Sequence, residues 1–341
     1  MKYKNTVKVL RNQRRERKAV KRRKLWLNLK RKGLEGKSVK QRRFLEAQRY
    51  AVRVKVPVEF SIKRQPDKVF EFIATLKNFK KRNVKAIFIQ LKYCTYISNG
   101  AIALIISAIE ELKTSGIKVS GSYPVDKKTR TILEKSGFFN YVIGNISEEN
   151  KITLNTILQQ GTDVVNSAAV APLVLKAMEY VWGQPYRNPR VQSLLIELMA
   201  NTVNHAFPGN KKSKWHLSMS TTPNENKVSF TFIDNGQGIN RTLNIKFVDK
   251  IKALFLDSSN AVLKAAFDGK FGSRTKERIR GRGLPSVKRC YSENYISNLV
   301  VIANDVYLDF GKNQVKKLVK EFEGTCYYWE LDLNCTPWKI L

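Results

Sequence analysis

The sequence predicts an α/β (α+β) protein with two sheet domains behind a basic helical or disordered arm, and three observations carry that expectation. Residues 51 to about 145 alternate between apolar patterns of period 2 and period 3.6. Residues 186–341 run as a helix, a strand pair, a long polar loop region, a second helix and closing strands. The first 50 residues hold twenty Lys and Arg against three Glu, with too few apolar residues for a core of their own. The expected organisation is an arm over 1–50, a first domain over 51–148, a helical connector over 149–185 and a second domain over 186–341.

Taken in order, the arm "RNQRRERKAVKRRKLWLNLKRKG" reads either as a solvated basic helix or disordered extension, or as a dedicated nucleic-acid contact. Trp26 and Phe44 are its only aromatic candidates for base stacking before Tyr50, which gives little support to sequence-specific reading of single strands. "VRVKVPVEFSI" alternates as a half-buried strand does, and "PDKVFEFIATLKNF" follows with helical spacing after a proline suited to a first turn. "VKAIFIQLKY" is a strand bounded by charge, and "SNGAIALIISAIEELKTSG" is a helix ended by Gly116. "KVSGSYP" and "KKTRTILEKSGFFNYV" add a further strand and helix, completing a small open sheet covered by helices.

Residues 151 to about 190 read as helical and connecting, and "GQPYRNP" breaks them. "WHLSMSTTP" and "KVSFTFIDN" then form two strands joined by a Pro-Asn turn, and "YISNLVVIAND" and "GTCYYWELDL" close the chain as strands. No internal repeat of solenoid period is present.

The charge balance, 63 Lys+Arg against 28 Asp+Glu for a net +35, favours polyanionic partners, either nucleic acid or an anionic membrane surface. A hydrophobic fraction of 43% is that of a globular protein, so only part of the chain is a charged tail. Four scattered cysteines without a C-x-x-C pair read as reduced and buried, and two histidines, His205 and His216, argue against a zinc site. No apolar h-region follows the basic N-terminus, and the longest apolar runs are about half a membrane span. The expectation is a cytoplasmic protein with no membrane span.

The chemistry concentrates in three stretches. In "IELMANTVNHAF" the residues Glu197, Asn201 and Asn204 form a polar stripe beside an apolar helix face. Such a stripe either faces solvent or presents a carboxylate one turn from an amide, where the first can act as a base and the second can ligate a hard cation. In "FIDNGQGIN", Asp234 ends a strand and Gly236 and Gly238 let the backbone turn and approach a flat ligand, although D-N-G is also an ordinary turn. In "RIRGRGLPSVKR", two glycines precede a helix start ringed by Arg280, Arg282 and Lys288, a setting that suits phosphate oxygens.

In this order, a Glu/Asn helix, a D-x-G-x-G strand end, a G-x-G-L helix start and a "GT" before a strand resemble the GHKL ATP-binding superfamily over about residues 175 to 335. "IELMANTVNHAF" and "GRGLPSVKR" are most similar to the anti-sigma-factor serine kinases. The resemblance implies a Bergerat-type α/β sandwich with ATP and Mg²⁺ as cofactors. It implies Glu197 as general base, Asn201 as the Mg²⁺ ligand and Asp234 as acceptor from the adenine amino group, with Gly236 and Gly238 making room for the base. Gly281, Arg282, Gly283 and Leu284 would wrap the phosphates, Thr325 would support the adenine end, and Asn204 would join the nucleotide site. His205 matches a family position but reads as a packing or hydrogen-bonding residue. Two features depart from the pattern: Pro285 follows G-R-G-L, and the stretch from Asn240 to Arg280 is longer and more basic than the lid of the small kinases.

With that domain placed, residues 51–148 resemble a STAS domain, the fold of anti-anti-sigma factors, through "AIFIQLKYCTYISNGAIALIISAIEEL". Ser98 falls where those proteins carry a phosphorylated serine and Gly100 matches, while Ile97 and Asn99 replace the usual Asp and second Ser. Ser98 is either that phosphosite or a helix cap. The implied function is an ATP-binding regulatory switch, a kinase or ATPase, with a protein partner governed by nucleotide state; a homodimer is compatible with it. Two alternatives stand beside it: a nucleic-acid-associated GHKL ATPase that uses the arm and the basic lid, and a nucleotide sensor without turnover.

Overall fold

The structure is a computed structural model that describes residues 2–33, 35–36, 38, 50–143, 152–153, 156–162, 165, 167–206, 214–222, 224–243, 259–270 and 283–337. It is mixed α/β and divides into two units, 1–51 and 52–341. Among the described residues the first unit holds one helix, α1 (Lys2–Arg31). Its side chains from Arg14 to Asn28 are all exposed, and Lys30 lies over the Trp26 ring at 5.1 Å.

The second unit begins with β1 (Val52–Lys55), β2 (Glu59–Phe60), α2 (Pro66–Asn78), β3 (Ala86–Gln90), β4 (Tyr96–Ile97), α3 (Asn99–Thr114), β5 (Lys118–Gly121), α4 (Lys127–Lys135) and α5 (Phe138–Ile143). β1, β3 and β5 form a parallel sheet in that order, and β2 pairs with β4. Pro66 opens α2 at its first turn. Ser98 caps α3 by accepting from the Ala101 amide at 3.4 Å, and Gly116, at φ +78°, follows the helix end where only a left-handed residue fits.

The chain continues through β6 (Ile152–Thr153), β7 (Thr156–Thr162), α6 (Ser167–Trp182), α7 (Pro189–Asn201), β8 (Lys214–Thr222), β9 (Lys227–Asp234), α8 (Ile239–Thr242), α9 (Ser259–Phe267), α10 (Gly283–Ser292), β10 (Ser297–Asp309) and β11 (Gln314–Leu331). Six of these strands make one antiparallel sheet in the order β10-β11-β9-β8-β7-β6. Asn224, at φ +63°, sits in the predicted turn between β8 and β9.

One sequence expectation is corrected here. The stretch 149–185 is not a helical connector: β7 adds to the sheet by pairing with Lys214–Ser220, and α6 packs into the core of the same sheet through Val170, Val174 and Met178. The strand "TILQQGT" has no sustained alternation, so its pairing with β8 rather than its own pattern decides its conformation.

The six-stranded sheet is covered on both faces. On its front, Trp215, Leu217, Phe230, Phe232, Tyr327 and Trp329 share one core with α6, α7, α9 and α10. On its back, Ile233, Val300, Ile302, Phe322 and Cys326 share a second core with α2, α3 and β3. This arrangement explains why α3 is apolar nearly all round: Ile102–Ile109 are all buried, between the helix's own parallel sheet and the back of the larger one. Gly100 is the closest point, since a Cβ there would lie 2.8 Å from Thr231 Oγ1 and 3.0 Å from Ile62 Cδ1.

Candidate functional site

The front face carries the predicted residues. Residues directly opposite one another in a sheet share a face, and Trp215, Asp234 and Thr325 form one such row across β8, β9 and β11. Asp234 is buried; its Oδ1 accepts from the Gly236 amide at 2.9 Å, and the Thr325 hydroxyl and amide also donate to it. Burial pushes its carboxyl up to about 6, against these hydrogen bonds and the positive charge of Lys77, which lower it.

Two glycines beside Asp234 leave no room for a side chain. Gly238 has φ +80°, and a Cβ there would lie 2.5 Å from Asn304 Oδ1. Asn304, itself at φ +56° in an irregular stretch of the β10/β11 register, donates through Nδ2 to Gln237 O at 2.7 Å and so props the turn. Gly324 has φ +131°, and a Cβ there would fall 2.1 Å from Asp234 O. The predicted "GT" therefore owes its glycine to the close approach of β11 to the end of β9.

A second cluster forms where α7 meets α10. A Cβ on Gly283, the first residue of α10, would lie 2.9 Å from Asn201 Nδ2 and 3.2 Å from Glu197 Oε2. Glu197 and Asn201 are both half-buried, so the polar stripe faces a neighbouring helix start rather than open solvent. The free amides of that start and an oxygen-bearing amide and carboxylate then share one corner. Leu284 packs against the front core.

After Asn201 the helix widens into a π turn, Thr202–Ala206, which touches both β8 and α8. That contact sets the turn after α7 against α8, the short helix that follows the Asp234–Gly238 turn. The wider turn leaves Asn204 exposed, away from the half-buried pair that its helical spacing predicts it to join. Gly281 and Arg282 lie outside the described residues, as do the side chain of His205 and most of the stretch 240–280.

Several buried polar atoms of the same region lack a protein partner among the described residues: Asn201 Nδ2, both carboxamide atoms of Asn240, Asn304 Oδ1 and Trp215 Nε1. Such groups are rare in folded proteins and mark places where water or a ligand completes the bonding. Among the described residues no three His, Cys, Asp or Glu converge as a metal centre. A cation here would rest on Asn201 and on the ligand it accompanies, as Mg²⁺ commonly does.

Ser98 stands elsewhere. It caps α3, whose first turn packs on the back of the six-stranded sheet, whereas Glu197 is on the front. All four cysteines are free and buried. No helix among the described residues is long and apolar enough to cross a membrane.

Sequence reasoning missed Asn304, Gly324's reason for being glycine, and Lys77. Asn304 had a visible signal, a lone amide in the apolar run "VVIANDVYL". No protein-family model matches the chain, and no curated protein matches it.

Proposed function

We propose that residues 186–341, with β7 and α6, form a Mg²⁺-dependent ATP site of GHKL type, and that the protein is an ATP-binding regulatory switch resembling the anti-sigma serine kinases. The observations that carry this reading are two clusters on the front of the sheet: the buried Asp234, held by Gly236 and Thr325, and a Gly283 helix start set against Glu197 and Asn201.

The residues fit such a ligand. Asp234 offers a carboxylate to an adenine amino group, and the glycines beside it let the turn and β11 pack closely around that carboxylate. The α10 start offers amides to phosphate oxygens, and Asn201 would hold the cation that neutralises them next to Glu197. When bound, Mg²⁺ would supply charge neutralisation of the phosphates. Glu197 would take the proton from the attacking hydroxyl or water. Gly281 and Arg282 would belong to the phosphate-wrapping segment.

The parallel βα unit over 52–143 is read as the STAS-like module. Its Ser98 is separated from Glu197 by the six-stranded sheet, so the geometry favours water, an external serine or Ser98 of a second copy as acceptor over transfer within one chain. The test is Mg-ATP binding and turnover in the full chain. Glu197→Ala is expected to bind with near-normal affinity and to lose about 10²-fold or more of turnover. Unchanged turnover would remove Glu197 from its role.

A second reading, a nucleic-acid-associated ATPase, is favoured by α1. Its exposed Arg14, Arg15, Arg17, Lys18, Arg22 and Arg23 fall on nearly every side of the helix at 100° per residue. An in-plane membrane helix needs one apolar face, whereas a helix lying among phosphates does not. Deleting residues 1–50 is expected to abolish a steep salt-dependent affinity for duplex; a shallow slope in the intact chain would sink this reading.

A further inference from the structure

The residue after Asp234 points the other way. Asn235, the first residue past β9, has its side chain on the back, where the N-terminal module is packed. There its Oδ1 accepts from Lys77 Nζ at 2.8 Å and its Nδ2 donates to Ser107 Oγ at 2.7 Å. Lys77 also donates to Glu323 O at 2.6 Å, one residue before Gly324. Three hydrogen bonds to two module residues, Lys77 and Ser107, thus hold the two segments that meet at Asp234.

Lys77 is an unusual residue for a packing role. It is 4% exposed, near the C-terminal end of α2, with Glu111 Oε2 at 3.4 Å and the Phe322 ring at 4.7 Å. A buried ammonium is costly unless paired and hydrogen-bonded, and an apolar side chain of similar length would close the same interface more cheaply. Two other lysines that cross between the module and the sheet, Lys63 to Glu330 and Lys316 to Asp67, are more exposed.

We propose that Lys77 is a positioning residue for the nucleotide site: from behind the sheet it fixes Asn235 and Glu323, and with them the turn that presents Asp234 to its ligand. This rests on the nucleotide reading of the front face. The charged and titratable groups about Asp234 are Lys77 from α2, Lys80 from the turn just past it, Glu111 from α3, and Glu323, Cys326 and Tyr327 from β11. Lys77 lowers the Asp234 carboxyl against the effect of burial. Together with the hydrogen bonds from the Gly236 amide and the Thr325 hydroxyl, which act more strongly, it favours the carboxylate, the form that accepts from an amino group, while burial disfavours the Lys77 charge itself. The N-terminal module is in this way part of the site on the opposite face, and its docking and nucleotide affinity depend on the same bonds.

The test uses the full chain with Lys77→Gln, which keeps an N–H donor and loses the charge, and Lys77→Met, which loses both. Lys63→Met, which breaks another contact of the same interface, is the control. The carboxyl ¹³C shift of Asp234 is followed against pH, and Mg-ATP affinity is measured from pH 5.5 to 8.5. Both Lys77 variants are expected to raise the Asp234 midpoint by about one unit, while Lys63→Met leaves it in place. Lys77→Gln is then expected to bind Mg-ATP about fivefold more weakly at pH 6 and almost normally at pH 8.5. Wild-type binding with an Asp234 midpoint unmoved by Lys77→Gln, or moved equally by Lys63→Met, overturns this inference alone. Failure of the wild type to bind Mg-ATP overturns the nucleotide reading and the inference with it.

Discussion

The two faces of the six-stranded sheet are built from different materials. The front is aromatic, with Phe230 stacked on Trp329 at 5.2 Å and 4° and Trp215 stacked on Phe232 at 6.0 Å. The back, apart from its apolar patch, is small and polar, with Ser218, Ser220, Thr231 and Glu330 all buried. The module covering it makes its polar contacts singly: Glu110 Oε2 is 2.8 Å from His216 Nε2, Lys63 is 3.1 Å from Glu330, and Lys77 is 2.8 Å from Asn235. Large apolar area stabilises without requiring one geometry, whereas buried charges are strongly unfavourable when a partner is lost. The front therefore holds the fold together, and the back fixes how the N-terminal module docks.

A methyl group placed on each side tests this division. Gly324→Ala adds a Cβ 2.1 Å from the backbone oxygen of Asp234 at φ +131°, and is expected to cost about 4 kcal/mol in urea unfolding and to disrupt the whole unit. Gly100→Ala meets the end of the Thr231 side chain at 2.8 Å, which can turn aside. Its expected cost is about 1–2 kcal/mol, with hydrogen exchange rising in α3 before it rises in β9. Equal loss from the two substitutions would mean that the faces are not separable.

Asp234→Asn gives a smaller effect of opposite sign. The Asp234 carboxyl is raised from 3.8 to about 6, so its contribution to stability is fully present below about pH 3.8 and is lost as pH rises through about 6. The variant lacks that loss. It is expected to be more stable than wild type by about 1 kcal/mol above pH 6, with the difference disappearing below pH 4, while Mg-ATP binding weakens. A variant less stable than wild type at pH 7 would assign Asp234 to structure instead of ligand recognition.

Much of this was legible in the sequence. The α/β alternation over 51–145 anticipates α2, β3, α3 and β5, although "VRVKVPVEFSI" is two strands in different sheets, β4 is not anticipated and "KKTRTILEKSGFFNYV" is two helices; the turn at Asn224 and the end of α3 at Gly116 rest on residues whose backbone preferences are strong. Glu197 and Asn201 lie together against Gly283, and Thr325 donates to Asp234. The strand at Thr156–Thr162 was not legible, since it is held by pairing with β8. Asn204 was misplaced because a π turn breaks the 100° spacing that the prediction assumed. The all-round apolarity of α3 was visible in "AIALIISAI", yet nothing local says which second surface it needs.

The sequence by itself determined the periodic elements, the glycine positions and the types of residue available for chemistry, because these follow from dihedral preference and from which side of an element is apolar. Only the tertiary structure decided that the N-terminal module closes the back of the other sheet, that Ser98 and Glu197 stand on opposite sides of it, and that Lys77 lies behind Asp234. These are contacts between residues more than 90 positions apart. Sequence patterns report a residue's own burial and conformation, and leave its distant partner to the packing of the whole.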